Sequence, residues 1–149
     1  MLEKLLNDDL VNQIQELFKA RLLHPIMLLF FYSQKDCDTC EETGRLLAEI
    51  TALSDRVQYQ EYNIDENQAI ARQYHIQLTP GLVVAGNDRG EVLDYGIRFA
   101  GIPSGYEFGS LIQAMIMVSR RDSGLKPEVR QQLKDLKNPL HLQVFVTPT

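Results

Sequence analysis

The sequence predicts an α/β fold in three layers: a mixed central sheet with helices on both faces. Three observations carry that expectation. Strand-like and helix-like stretches alternate along the chain. The only two cysteines, in Cys37-Asp38-Thr39-Cys40, stand where a buried strand gives way to a helix. A hairpin then precedes a long amphipathic helix near the end of the pattern.

The elements follow in order. Asp8 or Asp9 can cap a first helix, with Leu10, Val11, Ile14, Leu17, Phe18 and Arg21-Leu22 along one face and His24-Pro25 as its stop. Ile26-Met27-Leu28-Leu29-Phe30-Phe31-Tyr32 is continuously apolar, the pattern of a strand buried on both faces. After a polar loop, Thr43, Leu46, Leu47, Ile50 and Leu53 recur at helical spacing from Cys40 onward. Residues 57–64 alternate apolar and polar, as a half-buried strand does, and a short helix over about 66–74 leads to Ile76-Gln77-Leu78-Thr79-Pro80. Residues 82–85 read as a strand, Asn87-Asp88-Arg89-Gly90 as a hairpin turn and 91–98 as the return strand. The long helix covers 105–120, with Phe108, Leu111, Ile112, Met115 and Ile116 as its apolar side.

Composition narrows the function. A chain of 149 residues is one domain, or one domain with an appendage, and 44% hydrophobic residues suffice for an ordinary core. A net charge of -5 argues against nucleic acid or an anionic membrane surface as partner. Met1-Leu2-Glu3-Lys4-Leu5-Leu6-Asn7-Asp8-Asp9 turns acidic before a signal peptide could build, and the apolar run at 26–32 is too short to span a bilayer. The expectation is a cytoplasmic protein with no membrane partner, where a lone Cys-x-x-Cys is more often catalytic or redox-sensing than a staple.

The placement of the motif supplies the chemistry. At a helix N-terminus, free backbone N–H groups and the positive end of the helix dipole favour a thiolate over a thiol. Two other readings stand beside thiol–disulfide exchange. A structural zinc ion wants four Cys or His ligands, and His24, His75 and His141 are scattered singly, so no metal is expected. The pair could also be inert buried thiols.

Several segments give the pattern a family. Cys-x-x-Cys after a strand in a βαβ unit resembles the thioredoxin arrangement. Glu61-Tyr62-Asn63-Ile64-Asp65-Glu66-Asn67 looks like the central strand and turn of thioredoxins, and Tyr74-His75-Ile76-Gln77-Leu78-Thr79-Pro80 like the approach to their cis-proline. Arg98-Phe99-Ala100-Gly101-Ile102-Pro103-Ser104-Gly105-Tyr106-Glu107-Phe108 resembles the N-terminal unit of the glutaredoxin-like protein disulfide oxidoreductases. The N-terminal domain of the flavoprotein of alkyl hydroperoxide reductase is a more distant likeness. The resemblance implies that Cys37 is the nucleophile and Cys40 the resolving thiol, that Pro80 is cis, and that Thr79 presents its backbone to an extended substrate. It implies protein or peptide disulfides and a reductant system as partners, and no metal or organic cofactor.

The departures from thioredoxin are specific. The dipeptide Asp38-Thr39 lacks the usual proline, and no tryptophan precedes Cys37. Phe31 occupies the place of thioredoxin's buried acid, and Glu61 that of its interior lysine. Asp36, Asp38, Glu41 and Glu42 crowd the motif with negative charge, which compensates the helix dipole and also disfavours the Cys37 thiolate. Asp38, Thr39 and Glu61 are thus candidates for tuning the pair. A redox-inactive thioredoxin-like binding module, or a glutaredoxin-like site using glutathione or an iron–sulfur cluster, are the alternative functions.

The end of the chain repeats its beginning. Asn138-Pro139-Leu140-His141-Leu142-Gln143-Val144-Phe145-Val146-Thr147 echoes His24-Pro25 and the strand after it, and the helical stretches ahead of each (129–136 and 11–22) correspond. The expected organisation is a thioredoxin-like domain over 1–121, with 122–149 a helix and strand that begin a second unit. A strand over 140–146 with one uncovered face would stay mobile, pair with a free sheet edge, or exchange with another molecule to give a dimer through the C-terminal segment.

Overall fold

The structure is a computed structural model that describes residues 4–147; residues 1–3 and 148–149, and with them the start of the acidic N-terminal run, lie outside the described residues. Its elements are α1 (Asp8–Arg21), β1 (Ile26–Tyr32), α2 (Cys40–Thr51), β2 (Val57–Asn63), α3 (Gln68–Gln73), β3 (Gly81–Asp88), β4 (Glu91–Leu93), β5 (Arg98–Ala100), α4 (Tyr106–Arg120) and α5 (Pro127–Lys134).

The continuous apolar run of β1 places it centrally, because each of its faces meets a hydrophobic layer. Ile26, Leu28 and Phe30 pack with Phe18 of α1, Leu46, Leu47 and Ile50 of α2, and Leu111 and Met115 of α4. Met27, Leu29 and Phe31 pack on the opposite face with Ala71 of α3 and with Tyr74. Two layers of helix therefore sandwich a sheet of order β2-β1-β3-β4, with β5 also paired to β3. The sheet is mixed: β1 runs parallel to β2 and antiparallel to β3. Burying each of these Leu, Ile and Phe side chains contributes roughly 1.5–3 kcal/mol, which sets strand order more firmly than local propensity does.

Three local expectations are corrected. Asn7, rather than Asp8 or Asp9, caps α1, its side chain accepting from the Leu10 N–H at 2.8 Å while both aspartates sit in the first turn. The return strand expected over 91–98 is split into β4 and β5. Between them Asp94 accepts the Gly96 N–H at 2.9 Å and pairs with Arg98 at 2.7 Å, and Gly96 takes φ 81. That aspartate-centred turn competes with the sheet ladder and wins. The expected strand over 140–146 is absent. A helix forms, at Pro127–Lys134 where 129–136 was expected, yet residues 138–147 carry no strand, and Phe145 is 89% exposed. Its described residues are exposed throughout and pair with no strand, and a strand without a partner has no ladder to gain. Among the described residues, buried side chains end at Ser119.

Candidate active site

The cysteine pair is built by the exit of β1. After Tyr32 the chain turns through Ser33, Gln34, Lys35 and Asp36, reaches Cys37, and enters α2 at Cys40. Cys37 and Cys40 form a disulfide with their Cα atoms 5.5 Å apart. Cys40 opens the helix, and Cys37 precedes it by three positions. Cys40 is 6% exposed and belongs to the core beneath α2, whereas Cys37 is half-buried. Of the two residues, Cys37 is thus the more open to solvent. Thr39, the cap residue, offers its carbonyl to the Thr43 N–H at 2.9 Å and the Thr43 hydroxyl at 2.7 Å. Asp36, Asp38, Glu41 and Glu42 are all exposed around the pair.

The second half of the site comes from the residues before β3. Antiparallel pairing sets Phe31 opposite Gly81, so the end of β1 meets the residue after Pro80. The Thr79–Pro80 peptide is cis, Pro80 is buried and Thr79 half-buried. The Thr79 hydroxyl donates to the Asp36 carbonyl at 3.5 Å, which ties it to the loop that delivers Cys37. The glycine-rich signature then acquires a physical reason. Gly101 (φ 90) donates its N–H to the Pro80 carbonyl at 2.9 Å, and Gly105 (φ 59) caps α4; each holds a backbone conformation that side chains disfavour.

A cavity of about 500 Å³ opens beside the disulfide, with Phe30, Tyr32, Cys37, Cys40, Arg45 and Glu61 in its wall. Its back is aromatic: Phe30 stacks between Tyr32 and Tyr59, at centroid distances of 5.8 and 6.3 Å. The Tyr59 hydroxyl donates to Glu61 at 3.0 Å. Burial, and then that bond to a carboxylate, push the Tyr59 hydroxyl pKa well above its usual value, so Tyr59 stays a neutral donor. The residue beneath the disulfide is therefore Phe30 rather than Phe31, which faces α3 with Tyr62 and Tyr74. A strand's period of two makes a one-residue difference in loop length a change of face, and the loop before Cys37 cannot be aligned from sequence alone. Glu61 does reach the cavity, as its register position opposite Phe30 requires, but it is exposed. Ser33, Arg45 and Asp65 also belong to the site, although no motif assigns them a role there. A buried serine four residues before Cys37 is a signal only once its hydrogen bonds are visible. Among the described residues, no group of three or more His, Cys, Asp or Glu is placed to hold a metal ion.

Comparison with solved structures decides the architecture. A protein disulfide oxidoreductase from Aeropyrum pernix superposes with a TM-score of 0.76 over 92% of this chain and 57% of its own, at 23% identity. This chain has the thioredoxin fold. The NTD_N/C domain of alkylhydroperoxide reductase AhpF from Enterococcus faecalis superposes on this thioredoxin-fold chain with a TM-score of 0.74, at 26% identity, over 86% of it and 59% of that chain. In sequence, the chain is 34% identical over 145 residues to the alkyl hydroperoxide reductase AhpF of Staphylococcus epidermidis. The match takes in 97% of this chain but only 25% of the relative, so the chain spans about a quarter of the length of the curated proteins it matches. No family model matches the sequence. The likeness to the hydroperoxide reductases, read from sequence as the more distant of two, has the higher identity of the two. A thioredoxin-fold chain with a Cys37–Cys40 disulfide, and oxidoreductases as relatives, carries the equipment of thiol–disulfide exchange. Among the described residues no helix is long and apolar enough to cross a membrane.

Proposed function

We propose that this chain passes electron pairs between a dithiol reductant and a protein disulfide, with Cys37 as nucleophile and Cys40 as resolving thiol. The observation that carries the reading is the asymmetric disulfide: one cysteine half-buried ahead of α2, the other buried at its first residue. In the reduced chain the Cys37 thiolate attacks a substrate disulfide and expels one substrate sulfur, which takes up a proton. Cys40 then gives up its proton and attacks the Cys37 sulfur, releasing the second substrate thiol and closing Cys37–Cys40. Two electrons and two protons reach the substrate, and a second dithiol restores the pair. Thr79 and Pro80 line the approach, where an extended substrate segment can lie against the backbone. Asp38 and Thr39 at the helix start, and Glu61 in the cavity, tune the couple.

The likeness to the alkyl hydroperoxide reductase AhpF supports a place in electron delivery for hydroperoxide reduction, in the reducing environment of a cytoplasm. The substrate disulfide then belongs to a peroxide-reducing protein. Residues 1–121 form the redox unit, and 122–149 begin a second unit that can bridge to another copy of the chain. Replacing each cysteine tests the mechanism. Cys37→Ser should abolish insulin reduction, whereas Cys40→Ser should accumulate a mixed disulfide on Cys37, detected by thiol trapping and mass spectrometry. Wild-type turnover in Cys37→Ser would overturn the assignment.

A further inference from the structure

Two side chains outside the cysteine motif hold the loop that delivers Cys37. Ser33 is buried at the end of β1, and its Oγ accepts the backbone N–H groups of both Lys35 and Asp36, each at 3.1 Å. The same hydroxyl donates to the Asp65 carboxylate, at 3.1 Å from either oxygen. Asp65 Oδ2 also accepts the Gln34 N–H at 2.9 Å, and Asp65 is set in turn by its own N–H on Asn63 Oδ1 at 3.0 Å. Each backbone N–H from Gln34 to Asp36 therefore ends on Ser33 or Asp65. The next residue is Cys37.

We propose that Ser33 and Asp65 are positioning residues of the redox couple, holding Cys37 within closing range of Cys40 once the disulfide is open. The inference rests on Cys37–Cys40 being the working pair, as argued above. Cys40 is fixed by α2 and the core, so the freedom that decides how readily the ring closes lies on the Cys37 side. Closure of two tethered thiols follows their effective concentration, which rises as fewer unproductive positions are open to them. In the oxidised chain the sulfur–sulfur bond restrains Cys37 whether or not the loop is held. In the reduced chain the hydrogen bonds to Ser33 and Asp65 do so. Removing them frees the reduced chain more than the oxidised one, and the couple becomes more oxidising.

The test needs no protein substrate. The full chain is equilibrated with dithiothreitol: the dithiol opens Cys37–Cys40, giving two electrons and two protons to the protein and leaving as its cyclic disulfide. The ratio of forms is read by alkylation and mass spectrometry. Ser33→Ala and Asp65→Ala are expected to shift the equilibrium about three- to tenfold towards the dithiol, where tenfold corresponds to about 30 mV. Ser33→Thr, which keeps a hydroxyl, should stay within about twofold of wild type, and the double alanine variant should shift by less than the product of the singles, because the pair is one network. Asp65→Asn, which keeps the shape of the side chain, serves if Asp65→Ala does not fold, and should shift in the same direction. A folded Ser33→Ala chain whose equilibrium is unchanged, or moves towards the disulfide, overturns the proposal. A wild-type chain that opens and closes with dithiothreitol yet turns over no protein disulfide overturns the proposed function instead.

Discussion

Deleting residues 124–149 should leave the rest of the chain as stable as before. The magnitude follows from what the segment touches. Every described residue from 120 to 147 is exposed, and α5 contributes no buried side chain. Its shortest ion pair, Arg130 to Asp122 at 2.6 Å, joins two side chains that are 45% and 49% exposed, where water screens the charges and the pair contributes little. The large apolar side chains of the segment keep from 37% of their surface (Val129) upward in water, so apolar burial at about 25 cal/mol per Å² adds little. The expected change is therefore within about 0.5 kcal/mol, the range of surface changes. The slope of unfolding free energy against urea should also stay the same, because that slope follows the surface newly exposed on unfolding and the segment is exposed in both states. Urea titrations of oxidised full-length and shortened chains by circular dichroism measure both quantities, beside light scattering and insulin turnover. A loss of more than about 1 kcal/mol together with a shallower slope would refute the reasoning, since it would mean that the segment packs on the body in solution.

Further expectations concern the site and its supports. Gly81→Ala would place a Cβ 2.8 Å from Ile76 Cγ2 and 2.9 Å from the Leu78 carbonyl oxygen. The oxygen is backbone and cannot rotate aside, so a cost of about 1–3 kcal/mol and slower turnover are expected, read by urea titration and insulin reduction. Asp94→Asn removes the partner of Arg98, which also donates to the Tyr74 carbonyl at 2.8 Å. The hydrogen bond from Arg98 holds the Asp94 carboxyl below its usual pKa, so its stabilisation is present above about pH 4 and lost as pH falls through the lowered folded value. The variant should be less stable by on the order of 1 kcal/mol at pH 7, with the gap closing in acid; a gap that grows in acid would contradict the sign. Asp38→Asn removes one negative charge beside Cys37 and should raise the potential by less than the roughly 30 mV of a tenfold change. A fall in potential against glutathione would count against electrostatic tuning by that residue.

The parts of this molecule legible in the sequence are those that one local pattern decides. β1 matches its apolar run residue for residue, and α2 starts at Cys40, because burial on both faces and a helical repeat leave few alternatives. Reading stopped where two local forces compete. Asp94 draws Gly96 and Arg98 into a turn that divides the return strand, and Asn7 takes the cap beside two equally plausible aspartates. The tail shows a different limit. A strand pattern over 140–146 states what that segment would do with a neighbour and nothing about whether the neighbour is there. At the site, the cysteines were visible as a motif, but the face beneath them depended on loop length, and so Phe31 was read where Phe30 stands.

The pairing of Phe31 with Gly81 has a consequence for motion. It joins two halves of the site that lie 43 residues apart, Asp36 and Thr79, through the ladder between β1 and β3. Those two strands also carry fully buried side chains in both hydrophobic layers. Separating the strand ends that carry the two halves therefore requires the same opening that exposes the core. Amide protons of β1 and β3 should exchange with deuterium only through global unfolding, while those of α5 exchange at once. Each redox cycle then proceeds on a frame that stays closed, with movement confined to the exposed loop ahead of Cys37.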